Sequence, residues 1–97
     1  MINIIVSVTV PRSNREAVLP LLEKLTAASQ KENGNVLYQY YLHPTDAERL
    51  VIVEVWENAE VLAAHEATEH FTVLLPQIVE LSTKLDIRKF EATPVEG

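Results

Sequence analysis

The chain has no cysteine among its 97 residues. That excludes disulfides, thiolate metal ligands and thiol nucleophiles. It has two glycines, and neither sits in a glycine-rich phosphate loop or a G-x-S-x-G element. Nucleotide cofactors and serine nucleophiles therefore have no signature here. Basic charge is scarce: eight Lys and Arg face fourteen Asp and Glu, for a net charge of −6. Arg12 and Arg15 are near neighbours, but Arg88 and Lys89 lie far along the chain, so no basic stripe forms. Nucleic acid, whose phosphates need neutralising, is not an expected partner. No apolar run approaches the ~20 residues that span a bilayer, so no membrane association is expected. Met1 leads straight into strand-like sequence without a basic and apolar leader, which makes a cytoplasmic location the expectation.

What is present is a globular composition, 47% hydrophobic. The length fits one domain, 1–97, with 93–97 as a tail. A domain this small often supplements its core by dimerising.

Ile2 to Val10 is a β-branched run ending at Pro11, and reads as a strand. Ile2, Ile4, Val6, Val8 and Val10 form its apolar face. Asn3, Ile5, Ser7 and Thr9 form a mixed face suited to a wetter cavity. Ser13 to Glu16 matches a capping box. The helix behind it carries Val18, Leu21, Leu22, Leu25 and Ala28, with Pro20 expected to kink or delay its first turns. Gly34 reads as its left-handed C-cap. Asn35 to His43 is a Tyr-rich strand, His43-Pro44-Thr45-Asp46 a turn, and Arg49 to Glu57 a strongly alternating strand. Asn58 caps a helix over about 59–67. Thr68 caps a second piece holding Phe71, Leu74, Leu75, Ile78 and Leu81, bent at Pro76. Leu85 to Ala92 is the last strand.

The order β-α-β-β-α-β is the ferredoxin-like split βαβ arrangement, an α+β fold. Its helices cover one sheet face. The economical cover for the other face is a second copy of the chain, giving a homodimer. A hairpin around residues 44–48 pairs Leu42 with Leu50, Tyr40 with Ile52, Tyr38 with Glu54 and Val36 with Trp56. Opposed residues share a face. The expectation is that Val51, Val53 and Val55 face the helices, while Tyr38, Tyr40, Glu54 and Trp56 share the uncovered side.

Glu54 among aromatics is a candidate acid or base, since desolvation raises a carboxyl pKa. A structural Glu bonded across an interface is the competing reading. Trp56 and the tyrosines suit either an aromatic ligand or a dimer core. His65 and His70 are five apart, one residue more than the zinc-protease H-E-x-x-H spacing. On a continuous helix their rings would diverge by roughly 140°, so that metal site is rejected. A break near Thr68 would let both rings reach one cavity, where His suits acid/base work. A surface His65 and a capping His70 is the alternative.

In order, Glu32, Gly34, Asn35 and Tyr38 (E-x-G-N-x-x-Y), Glu54 and Trp56 (E-x-W), and His65, His70 and Phe71 (H-x4-H-F) resemble the antibiotic biosynthesis monooxygenase family, quinol monooxygenases among them. The resemblance implies a dimeric α/β barrel with a pocket between sheet and helices in each subunit. It implies a monooxygenase that uses O2 on a small aromatic or quinol-like molecule with no metal, flavin or haem. Carried over, His65 or His70 is the base, with Glu54 beside them. Tyr38 and Asn3 donate to the developing oxyanion, and Trp56 is a stacking wall. The alternatives are an acid/base isomerase of a small metabolite and a non-catalytic stress protein that binds a small molecule.

Overall fold

A computed structural model describes residues 1–93 and residue 95. Of the expected tail, Pro94, Glu96 and Gly97 lie outside the described residues. Four strands and three helices alternate along the chain: β1 (Ile2–Thr9), α1 (Arg15–Gln30), β2 (Asn35–Leu42), β3 (Arg49–Trp56), α2 (Ala59–Glu66), α3 (Glu69–Leu81) and β4 (Lys84–Glu91). The sheet is antiparallel throughout, in the order β2-β3-β1-β4. This is the α+β ferredoxin-like βαββαβ arrangement that the pattern of elements predicts. The two helical segments are its crossovers, and the second is divided into α2 and α3.

The core lies between one sheet face and the helices. Ile2, Ile4, Val6 and Val8 of β1 are buried there with Val18, Leu22 and Leu25 of α1, Leu62 of α2 and Ile78 of α3. The period-two burial of β1 and the helical period of α1 both match their sequence patterns.

The face assigned to β3 is corrected. Ile2 stands opposite Trp56, Ile4 opposite Glu54, Val6 opposite Ile52 and Val8 opposite Leu50. Directly opposed residues share a face, so Leu50, Ile52, Glu54 and Trp56 lie under the helices and are buried. Val51, Val53 and Val55 point to the open side, with Asn3 and Ile5 of β1. Alternation sorts residues into two sets but does not say which set meets the helices. Pairing with β1 decides it. A carboxylate is tolerated on the covered side because the Trp56 indole N–H donates to it.

The β2–β3 hairpin has the expected register at three pairs: Leu42 with Leu50, Tyr40 with Ile52 and Tyr38 with Glu54. Beyond Tyr38 it departs. A bulge between Asn35 and Leu37 sets Asn35 opposite Trp56, and Val36 is extruded and half exposed.

Two local signals, the capping box and the Gly34 cap, resolve differently from expectation, and two prolines lie inside continuous helices. Ser13 to Glu16 forms no capping box: Arg12–Asn14 is a 3-10 turn, and α1 begins behind Asn14. The Asn14 amide instead donates to the Leu81 carbonyl at 3.0 Å, tying the start of α1 to the end of α3. α1 and α3 run unbroken through Pro20 and Pro76. Gly34 is not the helix cap, since α1 already closes at Lys31. Gly34 has φ of +87°, and a Cβ there would lie 2.5 Å from Val61 Cγ1. Both its backbone conformation and its closeness to α2 call for glycine. Asn58 and Thr68 do cap α2 and α3, accepting from the amides of Val61 and Phe71.

Candidate functional site

The polar centre under the helices begins at the helix break. The Thr68 hydroxyl donates to the His65 carbonyl at 2.6 Å and accepts from the Phe71 amide at 3.3 Å. One side chain thus closes α2 and opens α3. The break removes the angular offset that a continuous helix would impose on residues five apart. His65 at the end of α2 and His70 at the start of α3 then converge, with ring centroids 5.9 Å apart.

They converge on Glu32. Its Oε2 lies 2.6 Å from His65 Nδ1 and 2.8 Å from His70 Nε2. Glu32 sits in the loop between α1 and β2, held by its own N–H to the Ser29 carbonyl and by its carbonyl to the Asn35 N–H. On the other side of the ring, His65 Nε2 is 3.9 Å from Glu54 Oε1. That gap is too long for a hydrogen bond. Glu54 Oε1 accepts from Trp56 Nε1 at 3.0 Å.

Aromatic rings wrap the imidazole of His65, which is 1% exposed. Trp56 lies 4.4 Å away, tilted by 35°. Phe71 meets it edge-on at 5.1 Å, and Tyr38 stands at 5.7 Å. Beside this group a cavity of about 160 Å³ opens between the sheet and α2–α3. Ile4, Val6, Ile52, Leu62, Leu75 and Leu85 supply apolar wall, and Tyr38, Glu54, His65 and Glu66 supply its polar groups.

Burial pushes the Glu54 carboxyl up to about 7, against the opposing pull of the Trp56 N–H; the Glu66 and Glu32 charges add to the rise. Burial also pushes the Tyr38 phenol well up, with Glu54 contributing. Tyr38 therefore stays protonated and able to donate at neutral pH.

Glu32, His65 and His70 also form a group of three metal-capable side chains, with donor atoms within 4.8 Å of one another. Ligands on one tetrahedral ion, with bonds of 2.0–2.1 Å, would stand about 3.3 Å apart. The observed 2.6 and 2.8 Å contacts are hydrogen-bond lengths. As it stands, the group is a hydrogen-bonded cluster.

Five of the six candidate residues come together here: Tyr38, Glu54, Trp56, His65 and His70. Asn3 does not. It pairs with Val55 on the open sheet face, on the opposite side from Glu54, and among the described residues its amide reaches only the Met1 carbonyl at 3.5 Å. Trp56 is fully buried behind His65 and is not part of the cavity wall. His70 is likewise outside that wall. The sequence places Glu32 at the head of the E-x-G-N-x-x-Y segment but assigns it no task; both histidines meet on its Oε2.

The sequence profile of the antibiotic biosynthesis monooxygenase family matches residues 1–75. The chain belongs to that family. Among solved structures, a conserved Bacteroides thetaiotaomicron protein of unknown function, described as a possible oxidoreductase, is 41% identical. The match covers 94% of this chain and 96% of that one, with a TM-score of 0.89. An antibiotic biosynthesis monooxygenase is 27% identical over 97% of this chain and 100% of that one, with a TM-score of 0.89. A conserved Methanosarcina mazei protein at 22% identity covers 95% and 92% with a TM-score of 0.89, and shows the shared fold alone. No curated protein sequence matches the chain. The residues that carry the resemblance in sequence lie in or beside the cluster: Glu32 in the loop before β2, Tyr38 on β2, Glu54 and Trp56 on β3, His65 and His70 across the helix break.

Proposed function

We propose that this protein is a monooxygenase that oxidises a small aromatic, quinol-like molecule with O2 and without a metal or organic cofactor. The observation that carries the reading is the His65 imidazole, buried at the polar end of an apolar cavity between two carboxylates. A flat apolar ring suits the aliphatic wall. Its hydroxyl would sit at the gap between His65 Nε2 and Glu54 Oε1. His65 takes the phenolic proton there, and Tyr38 donates to the phenolate oxygen. The electron-rich anion then reduces O2. One oxygen atom enters the substrate and the other leaves as water, while the substrate loses two hydrogens. All four electrons come from the substrate, so the protein supplies orientation and electrostatics. Family membership and the monooxygenase relative at 27% identity support the class of reaction.

The working form in this reading is a homodimer. Val51, Val53, Val55 and Ile5 lie on the open sheet face, flanked by Tyr41 and Phe90, which are 52% and 48% exposed. A second copy would cover this apolar sheet. No helix among the described residues is long and apolar enough to cross a membrane.

One observation favours a second reading. A carboxyl pushed up to about 7 beside an imidazole makes an acid and base pair, which would serve an isomerase equally well. O2 consumption by chelator-treated protein across quinols and polyhydroxylated arenes separates the two. Uptake above the protein-free rate is the expected result. Product formed without O2 would replace the monooxygenase with the isomerase, and ligand-induced stabilisation without turnover would leave a binding protein.

A further inference from the structure

We propose that Glu32 is a positioning residue that fixes the tautomer of His65, so that the Nε2 lone pair faces the cavity. The inference rests on the reading of His65 as the base, but its first test does not require turnover.

An ionised carboxylate oxygen offers only acceptor capacity. Glu32 Oε2 has two imidazole nitrogens at hydrogen-bond distance, His65 Nδ1 at 2.6 Å and His70 Nε2 at 2.8 Å. Both nitrogens must then carry hydrogen. A neutral imidazole holds one N–H, so His65 with hydrogen on Nδ1 has a bare Nε2. That nitrogen lies on the Glu54 side, where the cavity wall is. Nothing there holds a hydrogen on Nε2, because Glu54 Oε1 is 3.9 Å away and already accepts from Trp56.

The ring has little freedom to choose otherwise. Trp56 at 4.4 Å and Phe71 at 5.1 Å hold its plane, and the Thr68 hydroxyl holds its backbone carbonyl. Turning the ring over would place carbon against Glu32 and lose the short bond. His70 contributes from outside: its N–H occupies the same oxygen and pins the carboxylate in place. Once His65 takes a proton, the imidazolium stays against the Glu32 carboxylate at 2.6 Å, so charge developing on the ring meets negative charge there. The charged and titratable groups around the ring are Glu32 from the α1–β2 loop, Glu54 from β3, Tyr38 from β2 and His70 from α3, with Glu66 of α2 on the same cavity. The arrangement assigns different tasks to the two histidines, which their spacing alone could not do.

The test is nitrogen NMR of the intact protein with 15N-labelled histidine, at a pH where the rings are neutral. His43, His65 and His70 are assigned by single replacement. The expected result is His65 with hydrogen on Nδ1 and an unprotonated Nε2. Glu32→Met keeps the side-chain length and removes the acceptor, and should shift a large share of His65 to the other tautomer. Glu32→Gln keeps an acceptor oxygen and should hold the wild-type tautomer. On any substrate that is turned over, Glu32→Met should lower kcat by roughly 10²-fold or more with KM little changed. Hydrogen on Nε2 in the wild-type protein overturns the inference, and so does an unchanged tautomer in folded Glu32→Met. If Glu32→Met does not fold, the wild-type spectrum alone decides. Absence of turnover across the substrate panel would remove the monooxygenase reading while leaving the tautomer result standing.

Discussion

The indole Nε1 of Trp56 donates to Oε1 of Glu54 at 3.0 Å, between two residues separated by one position on the same strand face. This single bond is what makes a buried carboxyl tolerable under the helices. It does not fully offset burial, and the Glu54 carboxyl is raised from 4.5 to about 7. A folded-state value above the unfolded one means that the folded protein binds the extra proton between the two values. The contribution of Glu54 to stability is then fully present below about pH 4.5, and is lost as pH rises towards 7. Urea unfolding of wild type and Glu54→Gln from pH 4.5 to 8 checks this. The wild-type advantage should shrink across that window, by at most about 3 kcal/mol. A difference that grows with pH would show that Glu54 is held ionised.

Replacing the donor tests the same bond from its other end. Trp56→Phe keeps most of the aromatic wall and removes the N–H. The Glu54 carboxyl should titrate at still higher pH, as followed by carbon NMR of the labelled side chain. Trp56→Ala should in addition destabilise by ~3–5 kcal/mol, because the ring is fully buried.

Most of the architecture is legible in the chain because it is written in local periods and caps. The β1 and α1 periods, the Asn58 and Thr68 caps, and the register from Leu42 to Tyr38 all follow from neighbouring residues. What failed depends on partners distant in sequence. The buried side of β3 is decided by Ile2 and Ile4, roughly fifty residues earlier. The start of α1 is tied by Asn14 to the Leu81 carbonyl and not by a capping box at Ser13. The bulge at Val36 has no marker in a run of strand formers. The site divides in the same way. Tyr38, Glu54, Trp56, His65 and His70 stand out by residue type, whereas Glu32 gains meaning only when the helix break swings two rings onto it. Asn3 was placed by analogy and lies across the sheet.

Gly34 offers a test of the loop that presents Glu32. Gly34→Ala must hold a side chain at φ +87° and place its Cβ 2.5 Å from Val61 Cγ1. Backbone strain alone costs about 1–3 kcal/mol. The steric part should be relieved only in part in the Val61→Ala background, which removes Cγ1 and Cγ2 but leaves the Val61 Cβ at 2.7 Å. A double-mutant cycle by thermal or urea unfolding should therefore give a coupling of roughly 1 kcal/mol in the direction of rescue. Independent effects of the two changes would mean that strain and not contact sets the cost.

The two histidines should separate kinetically. His65 lines the cavity and is 1% exposed, while His70 reaches the cluster only through Glu32 and stays partly exposed. On a substrate identified by O2 uptake, His65→Gln should lower kcat by about 10²–10⁴-fold, the usual worth of a general base. His70→Gln should cost less, because it removes one of two donors from Glu32 and leaves the His65 bond intact. Substrate binding measured at equilibrium should change little in His70→Gln. The reverse ranking, with His70→Gln the more damaging, would move the base to the α3 side of Glu32. The cavity-facing role of His65 would then have to be abandoned.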